Sequence, residues 1–467
     1  MYSNDEHPGL TEFVTKLKPL QIMVVTGTRP ELIKMSAFLR LAAKDPEVYL
    51  TFVHSGQHYD DTLFGVFLRD LELPEPKYNV EVGSAPNSVQ TANIILKLYE
   101  IIQKERPDVI LAEGDTNTVF AAALTAFKTD IPFGHVEAGI RSFDWRMPEE
   151  VNRVLTSSCA LLNFAPTSLA ALNLISAGIP PNRIFVVGNP VVDAILQNLE
   201  FALQKSSIDK TLGIKTGEKI IVVTAHRPSN VDVKKSFEHI IQGLSKVDGA
   251  RVIFPIHPRS RARIKEFNLQ TLLQQAAHIE LIEPLGYLDF LKLMSRATFF
   301  VTDSGGMQEE AVALKKPCLT LRENTERPET IETGGNVLVG NDPIKIQNYV
   351  TKLLNDPAFY ARMCPRNNPF GDGTSSHQML SILKEHYNKG QLKIPGSSSF
   401  NKIPQYKLII IQGNKQIQTL RETENALNCN IFEVFDPEGN LTFPNPDLLL
   451  RKGMSFKGLF FKEMSKQ

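Results

Sequence analysis

The feature that most constrains this chain is a rhythm that runs through it twice: short, nearly continuous apolar segments alternate with segments of helical apolar spacing. In the first series QIMVVTGT, YLTFVHS, DVILAEGD and PFGHVEA read as buried strands by their β-branched content and the Gly or polar residues that end them. Between them PELIKMSAFLRLAAK, TLFGVFLRDL, SVQTANIILKLYEIIQKE and TNTVFAAALTAFKT carry helical spacing, the first with Pro30 in its opening turn. After GNPVVDAIL a second series follows, with KIIVVTAH, RVIFPIH, HIELIEP, TFFVTDSG and PCLTL as strands. Strands alternating with helices predict βαβ units and a parallel sheet covered on both faces. A chain of 467 residues is also too long for one core. The expected fold class is therefore α/β, two Rossmann-like domains facing a central cleft, with the site at the carboxyl ends of both sets of strands.

The expected division is an extension over 1–19, a first domain over 20–190, a second over 191–385 and a linker over 386–405. The boundary between the domains is placed near the polar stretch QKSSIDKTLGIKTGEK, and the last helix of the second is expected to pack back on the first. Residues 406–467 read as a small appended α/β module, with strands at YKLIIIQG and NIFEVF and a short helix at QIQTLRETENAL. The 51 basic residues balance 51 acidic ones, which gives no electrostatic case for nucleic acid or an anionic membrane as a partner. The opening MYSNDEHPGLTEFVTKLKPL lacks the apolar core of a secretory signal, and the apolar runs are far short of the ~20 residues that span a bilayer. Four scattered cysteines without a CxxC pair suggest neither a disulfide frame nor a zinc site. A cytoplasmic protein is expected.

The polar residues that could carry chemistry stand where strands end. In VVTGTRPELIK a Gly lets the chain turn sharply into a helix whose N–H groups favour an anion; Arg29 could fork onto phosphate and Lys34 add a charge one turn on. In FFVTDSGGMQEEA, Ser304, Gly305 and Gly306 open a helix in the same way and form the better diphosphate cradle, with Glu310 one turn further on. Glu113 and Asp115, His135 and Glu137, His226 and Arg227, and His257 and Arg259 also follow apolar strands. Any one of them could be a cap or a satisfied core group, but so many strand ends of this kind favour a shared cleft. Glu149 and Glu150 begin the helix at PEEVNRV, where the helix dipole explains an acidic pair as well as catalysis does.

Taken together, TGTRPE, GDTNT, HVEAGIRS, MPEEVNR, GNPVVDA, TAHR, TDSGGMQEEA and ENTERPE resemble the UDP-N-acetylglucosamine 2-epimerase family, in order, over about residues 20–385. The resemblance implies a glycosyltransferase-B type fold with UDP held mainly by the second domain, and inversion at C2 of UDP-GlcNAc to UDP-ManNAc. The implied route expels UDP to leave a 2-acetamidoglucal and adds it back after protonation on the other face. No redox cofactor or metal is implied; the expected partner is a UDP-sugar and the expected assembly a homodimer. Carried over by position, Ser304, Gly305, Gly306 and Arg327 would bind the diphosphate, Glu310 the ribose and Phe290 the uracil. Arg29 and Lys34 would contact the nucleotide from the first domain, and His226 would stabilise departing UDP. Asp115, Glu137 and Glu149 match the catalytic carboxylates, with the acid and base assignments open.

TGTRPE is the form associated with non-hydrolysing members. The chain departs from those activated by a second UDP-GlcNAc: Gln57 and His58 are present, but Asp60 follows them and Pro228 stands where a second Arg is common. The loop IRSFDWRMPEE leaves acyl or uronate variants of the sugar open, a 2,3-diacetamido-uronate among them; a hydrolysing epimerase that releases ManNAc is the other reading within the same class. A glycosyltransferase on the same fold and a UDP-sugar sensor are the readings from other classes.

Overall fold

The computed structural model describes residues 18–56 and 61–394 and, beyond them, six short strands between Leu408 and Phe460. Seven strands form the first sheet: β1 Leu20–Thr26, β2 Val48–His54, β3 Tyr78–Asn79, β4 Val109–Glu113, β5 Phe133–Val136, β6 Leu162–Ala165 and β7 Ile184–Val186. Their order is β3-β2-β1-β4-β5-β6-β7, and every pairing is parallel. The second sheet holds β8 Ile220–Thr224, β9 Arg251–Pro255, β10 Ile279–Ile282, β11 Phe299–Thr302, β12 Cys318–Thr320 and β13 Asn336–Leu338. It is again all parallel, in the order β10-β9-β8-β11-β12-β13. The strands are apolar almost throughout because both faces are covered. In β1, Ile22 and Val24 face one core while Met23 and Val25 face the other.

Each order reverses at one point, between β1 and β4 in the first sheet and between β8 and β11 in the second. At such a point the helices that follow the two strands pass to opposite faces, which leaves a crevice at their carboxyl ends. Gly27 shapes the first crevice: a Cβ there would lie 2.1 Å from Thr118 Oγ1, so only glycine lets β1 turn this closely past the helix Asn117–Lys128. The turn feeds the helix Arg29–Lys44, with extended Thr28 at its N-cap and Pro30 at its start.

The two sheets are tied by helices rather than only by a loop. Pro190–Lys205 packs on both Arg29–Lys44 and Tyr287–Arg296, and Arg40 donates to Gln197 at 2.8 Å and Asn198 at 3.0 Å. The helix Ser375–Asn388 returns from the second sheet to the first, where Met379 and Leu383 join the core that contains Leu20 and Phe38. Buried Asp193 accepts the backbone N–H groups of Ser375 at 3.2 Å and Ser376 at 2.7 Å and so anchors the start of that helix.

In the tail, Leu408–Gln412, Cys429–Phe435, Leu441–Thr442 and Ser455–Phe460 form an antiparallel sheet. The short helix expected over 416–427 is not borne out at Gln418–Thr419, which pair antiparallel with Leu449–Leu450; β-branched Thr419 suits a strand. The rest of that segment, the extension up to residue 17, and Gln57, His58 and Asp60 lie outside the described residues.

Candidate active site between the two sheets

Lys34, in the second turn of the helix Arg29–Lys44, reaches across the first crevice. Its Nζ lies 2.7 Å from Glu113 Oε1, at the end of β4, and 2.5 Å from Glu137 Oε2, just past β5. Glu137 is a non-glycine residue at φ +64°, a left-handed conformation that costs free energy and recurs at functional sites. The backbone aims its carboxylate at several partners: Asn189 Nδ2 donates to it at 3.0 Å, and Arg327 of the other half stands 3.7 Å away. Arg327 also pairs with buried Glu309.

These pairings drive neighbouring carboxyls apart in acidity. Burial alone would raise Glu137, but Lys34 and Arg327 outweigh it and hold Glu137 below the usual carboxylate range. Glu113 is pushed well above that range by burial and by the charge of Glu137, with Lys34 opposing. Two acidic groups of opposite shift around one lysine can hold one proton and one charge together. Lys34 itself is raised: burial disfavours its charge, and the attraction of Glu113, Glu137 and Glu309 more than offsets that. Beneath the turn, buried Glu31 accepts from Gly27 N at 2.6 Å and Thr28 Oγ1 at 3.1 Å, and burial raises it to about 7.

The second crevice is built on a helix start. Ser304 caps the helix Gly305–Ala313, its hydroxyl accepting from Met307 N at 3.5 Å. A Cβ built on Gly305 meets nothing within 4 Å, so the helix start opens onto free space rather than protein. An anion there would find unpaired N–H groups and the positive end of the helix dipole. Asp303, fully buried, accepts from His226 N at 2.9 Å and Arg227 N at 2.8 Å, which fixes the end of β8 beside the end of β11. The His226 ring stands 3.2 Å from Asp303 and 5.6 Å, centroid to centroid, from His257.

Two cavities occupy the cleft. One, of about 560 Å³, is lined by Ser304, Gly306, Glu310, Phe290, Tyr287 and His226. The other, of about 890 Å³, is lined by Arg29, Glu113, Asp115, Glu137 and Phe67 among others. Lys34, His257 and Arg327 line both. The apolar wall of Pro284, Leu285 and Phe290 beside a carboxyl and a helix start suits a base, a ribose and a diphosphate in that order. Glu310 is raised to about 7 by burial and by Glu309. Among the described residues no group of three or more His, Cys, Asp or Glu is placed to hold a metal ion.

The structure thus gathers Lys34, Glu137, His226, Phe290, Ser304, Gly306, Glu310 and Arg327 around connected space, with Gly305 at the same helix start. Asp115 lines the larger cavity and pairs with Arg153 at 2.6 Å, while exposed Arg29 lies with its guanidinium 5.7 Å from the Phe67 ring centre. Glu149 is exposed and lines neither cavity. Its neighbour Glu150 is buried and holds the loop before it through Ser142 N at 2.8 Å and Arg153 at 2.9 Å. Sequence reasoning named Glu113 only as one of the strand-end polar groups and gave no role to Asn189, Glu309 or Arg153. Asn189 sits in GNPVVDA and Glu309 in MQEEA, both motifs already singled out, so their position was the available signal.

Comparison with known proteins identifies the family. The family model for UDP-N-acetylglucosamine 2-epimerases matches residues 40–384. The UDP-N-acetylglucosamine 2-epimerase of Methanocaldococcus jannaschii is 44% identical over 369 residues, 78% of this chain and 99% of the relative. That of Salmonella typhimurium is 37% identical over 385 residues, 79% of this chain and 99% of the relative. The M. jannaschii enzyme solved in complex with UDP-GlcNAc and UDP superposes with a TM-score of 0.68 at 43% identity, over 78% of this chain and all of that one. The Neisseria meningitidis enzyme bound to UDP-GlcNAc gives 0.71 at 35% identity, over 78% of this chain and all of that one. With the family matched over most of the chain and the glycosyltransferase-B architecture in place, this protein is an epimerase that belongs to the UDP-N-acetylglucosamine 2-epimerase family.

Proposed function

We propose that the chain is a non-hydrolysing epimerase that interconverts UDP-GlcNAc and UDP-ManNAc by eliminating UDP and adding it back across a 2-acetamidoglucal. The observation that carries this reading is the position of Glu137, shared between Lys34 of one half at 2.5 Å and Arg327 of the other at 3.7 Å, where the two cavities meet. The diphosphate sits at the Ser304–Gly306 helix start against Arg327, the ribose on Glu310 and the uracil on Phe290, with the sugar toward Glu137 and Asp115. Anionic phosphate drawn to Arg327 and Lys34 competes with Glu137 for their charge, which raises the basicity of Glu137 once substrate is bound. As the C1–O bond breaks, His226, Arg327 and the helix N–H groups stabilise the departing UDP. The C2 proton leaves to one of Asp115, Glu137 and Glu149 and returns from another on the opposite face.

Residues 20–190 and 191–385 act as the two jaws around this substrate. The chain pairs with a second copy through neighbouring helices of the first jaw, which expose Val89, Leu96, Tyr99, Phe127 and Leu155. Incubation with UDP-GlcNAc in deuterated water, followed by proton NMR, tests the reaction. Deuterium at C2 of intact UDP-sugars is the expected result. Free ManNAc instead makes the enzyme hydrolytic, and no exchange at C2 removes the proposed chemistry.

A further inference from the structure

Arg327 also lines a third cavity, of about 460 Å³, that the nucleotide-sugar reading leaves unused. Its first-half wall is the loop from Ile140 to Asp144 with Met147 and the start of the helix Ser168–Ser176; its second-half wall is Arg227 and the segment from Arg322 to Glu329. A hydrogen bond from Thr167 Oγ1 to Glu329 Oε1 at 2.7 Å joins the two walls.

Four guanidinium groups line this space against three carboxylates, Asp144, Glu326 and Glu329. Most of those charges are already matched. Arg322 takes Glu326 in a fork at 2.7 and 2.9 Å, Arg327 pairs with Glu309 and Glu137, and Asp144 pairs with Arg146 at 2.7 Å. Arg227 keeps one nitrogen on the Asp303 carbonyl at 3.0 Å, and its nearest carboxylate, Glu326, is 3.9 Å away. Arg141 is the anomaly. Only 9% exposed, it donates Nη1 to its neighbour's carbonyl, Ile140 O, at 2.9 Å, and its Nη2 is buried with no acceptor. Among the described residues no carboxylate lies within ion-pair distance of it. Glu150 attracts Arg141 from beyond contact but is itself held by Arg153, and a buried guanidinium nitrogen with no acceptor is costly, so native structures supply a partner for such groups.

The remaining wall is apolar, with Leu169 and Phe370 lining it beside Phe143, which is 73% exposed and held at φ +57°. A bulky side chain in the left-handed region is strained, and here Glu150 holds the loop by accepting from Phe143 N at 3.2 Å. We propose that this cavity is a second ligand site, separate from the UDP-sugar site. It takes a small organic oxyanion, a phosphate or a carboxylate on a compact body, with the anion on Arg141 and Arg227 and the body against Phe143, Leu169 and Phe370. The volume exceeds what a bare phosphate fills, which is why an organic body belongs to the description. Both halves supply walls and Arg327 is common to all three cavities, so a ligand here would touch both halves and share Arg327 with the UDP-sugar site.

The test uses the full-length protein saturated with UDP, so that the diphosphate cradle is already filled. Glucose 6-phosphate, citrate and inorganic phosphate are titrated in separately by isothermal calorimetry. Binding of glucose 6-phosphate alone assigns a phosphate ligand, and binding of citrate alone a carboxylate; each supports the site. Arg141→Gln is expected to weaken that binding at least ~10-fold, the loss typical of a charge-assisted hydrogen bond, while UDP affinity stays within ~2-fold. Should Arg141→Gln fail to fold, Arg227→Gln on the opposite wall is expected to give the same loss. The proposal is overturned if neither organic anion binds the UDP-saturated protein, or if binding survives undiminished in the folded variant.

Discussion

At the ends of β4 and β5 the chain half-buries a lysine within 2.7 Å of two carboxylates, whereas at the end of β11 it offers a capped helix start whose two glycines carry no charge and whose nearest carboxylate, Asp303, is turned inward. The first arrangement is expensive to assemble, because a cation and two carboxyl groups leave much of their water together and depend on one another there. The second is inexpensive, because its donors are backbone groups left over at any helix start. In the proposed reaction the contrast has a reason. Proton transfer needs side chains whose acidity differs from the ordinary, which requires burial and charged neighbours. Holding a diphosphate needs only donors that point outward and space in front of them.

The largest effect is expected where that costly cluster loses its centre. Lys34→Met leaves Glu113 and Glu137 facing each other without their shared cation, a change of the kind that costs about 3–5 kcal/mol when a buried pair is broken. Urea denaturation is expected to show that loss at neutral pH, with part recovered at pH 5 as Glu113 takes up a proton, since its acidity is already weakened in the folded state. A loss below ~1 kcal/mol would mean that water reaches the cluster and that the contrast between the two crevices is one of geometry alone.

Glu137→Gln should separate chemistry from binding. It keeps the shape, turns one of the two acceptor oxygens into an NH2 and cannot accept a proton, and kcat is expected to fall at least ~10²-fold while UDP affinity is largely retained. The pH dependence of stability offers a third measure. Glu31 is raised in the folded state to about 7, so its contribution is fully present below its unfolded value and is lost as pH rises through about 7. Relative to wild type, Glu31→Gln should therefore gain roughly 1–3 kcal/mol between pH 5 and pH 8 in denaturation free energy. A flat difference across that range would show that the turn after β1 is better hydrated than its geometry indicates.

How much of this was legible before the structure follows from the same contrast. Strand periodicity exposed both sheets, because parallel strands buried on both faces leave long apolar runs such as IMVV and IIVV. Strand ends exposed Lys34, Ser304 and the residues after β4 and β5, since a parallel sheet puts its carboxyl ends on one rim. Partners that come from helix interiors were hidden. Glu309 and Glu310 are adjacent in sequence and both line the cavity at the second helix start, yet Glu309 is fully buried on Arg327 and Glu310 is only half-buried. Neighbours on a helix point about 100° apart, and only packing decides which way each turns. Glu149 and Glu150 pose the same problem. The structure buries Glu150 in the loop's hydrogen bonds and leaves Glu149 exposed, so a catalytic role for Glu149 requires movement of that helix start. In the tail, Gln418 and Thr419 pair as a strand within a segment of helical spacing, because edge pairing with Leu449–Leu450 outweighs a weak local preference.

The smallest expected effect belongs to the inexpensive crevice and sharpens the comparison most. Ser304→Ala removes the cap of the helix Gly305–Ala313 but leaves its N–H groups in place. Stability should fall by about 1 kcal/mol, the usual cost of losing such a cap. If the backbone does most of the holding, UDP affinity measured by calorimetry should fall only ~3- to 10-fold, and kcat should change less than that, because no proton moves through this serine. A loss of UDP binding beyond ~100-fold would mean that the hydroxyl itself grips the phosphate. The two crevices would then differ in charge but not in their dependence on side chains, and the division between a half that reacts and a half that holds would have to be redrawn at Arg327, which touches both.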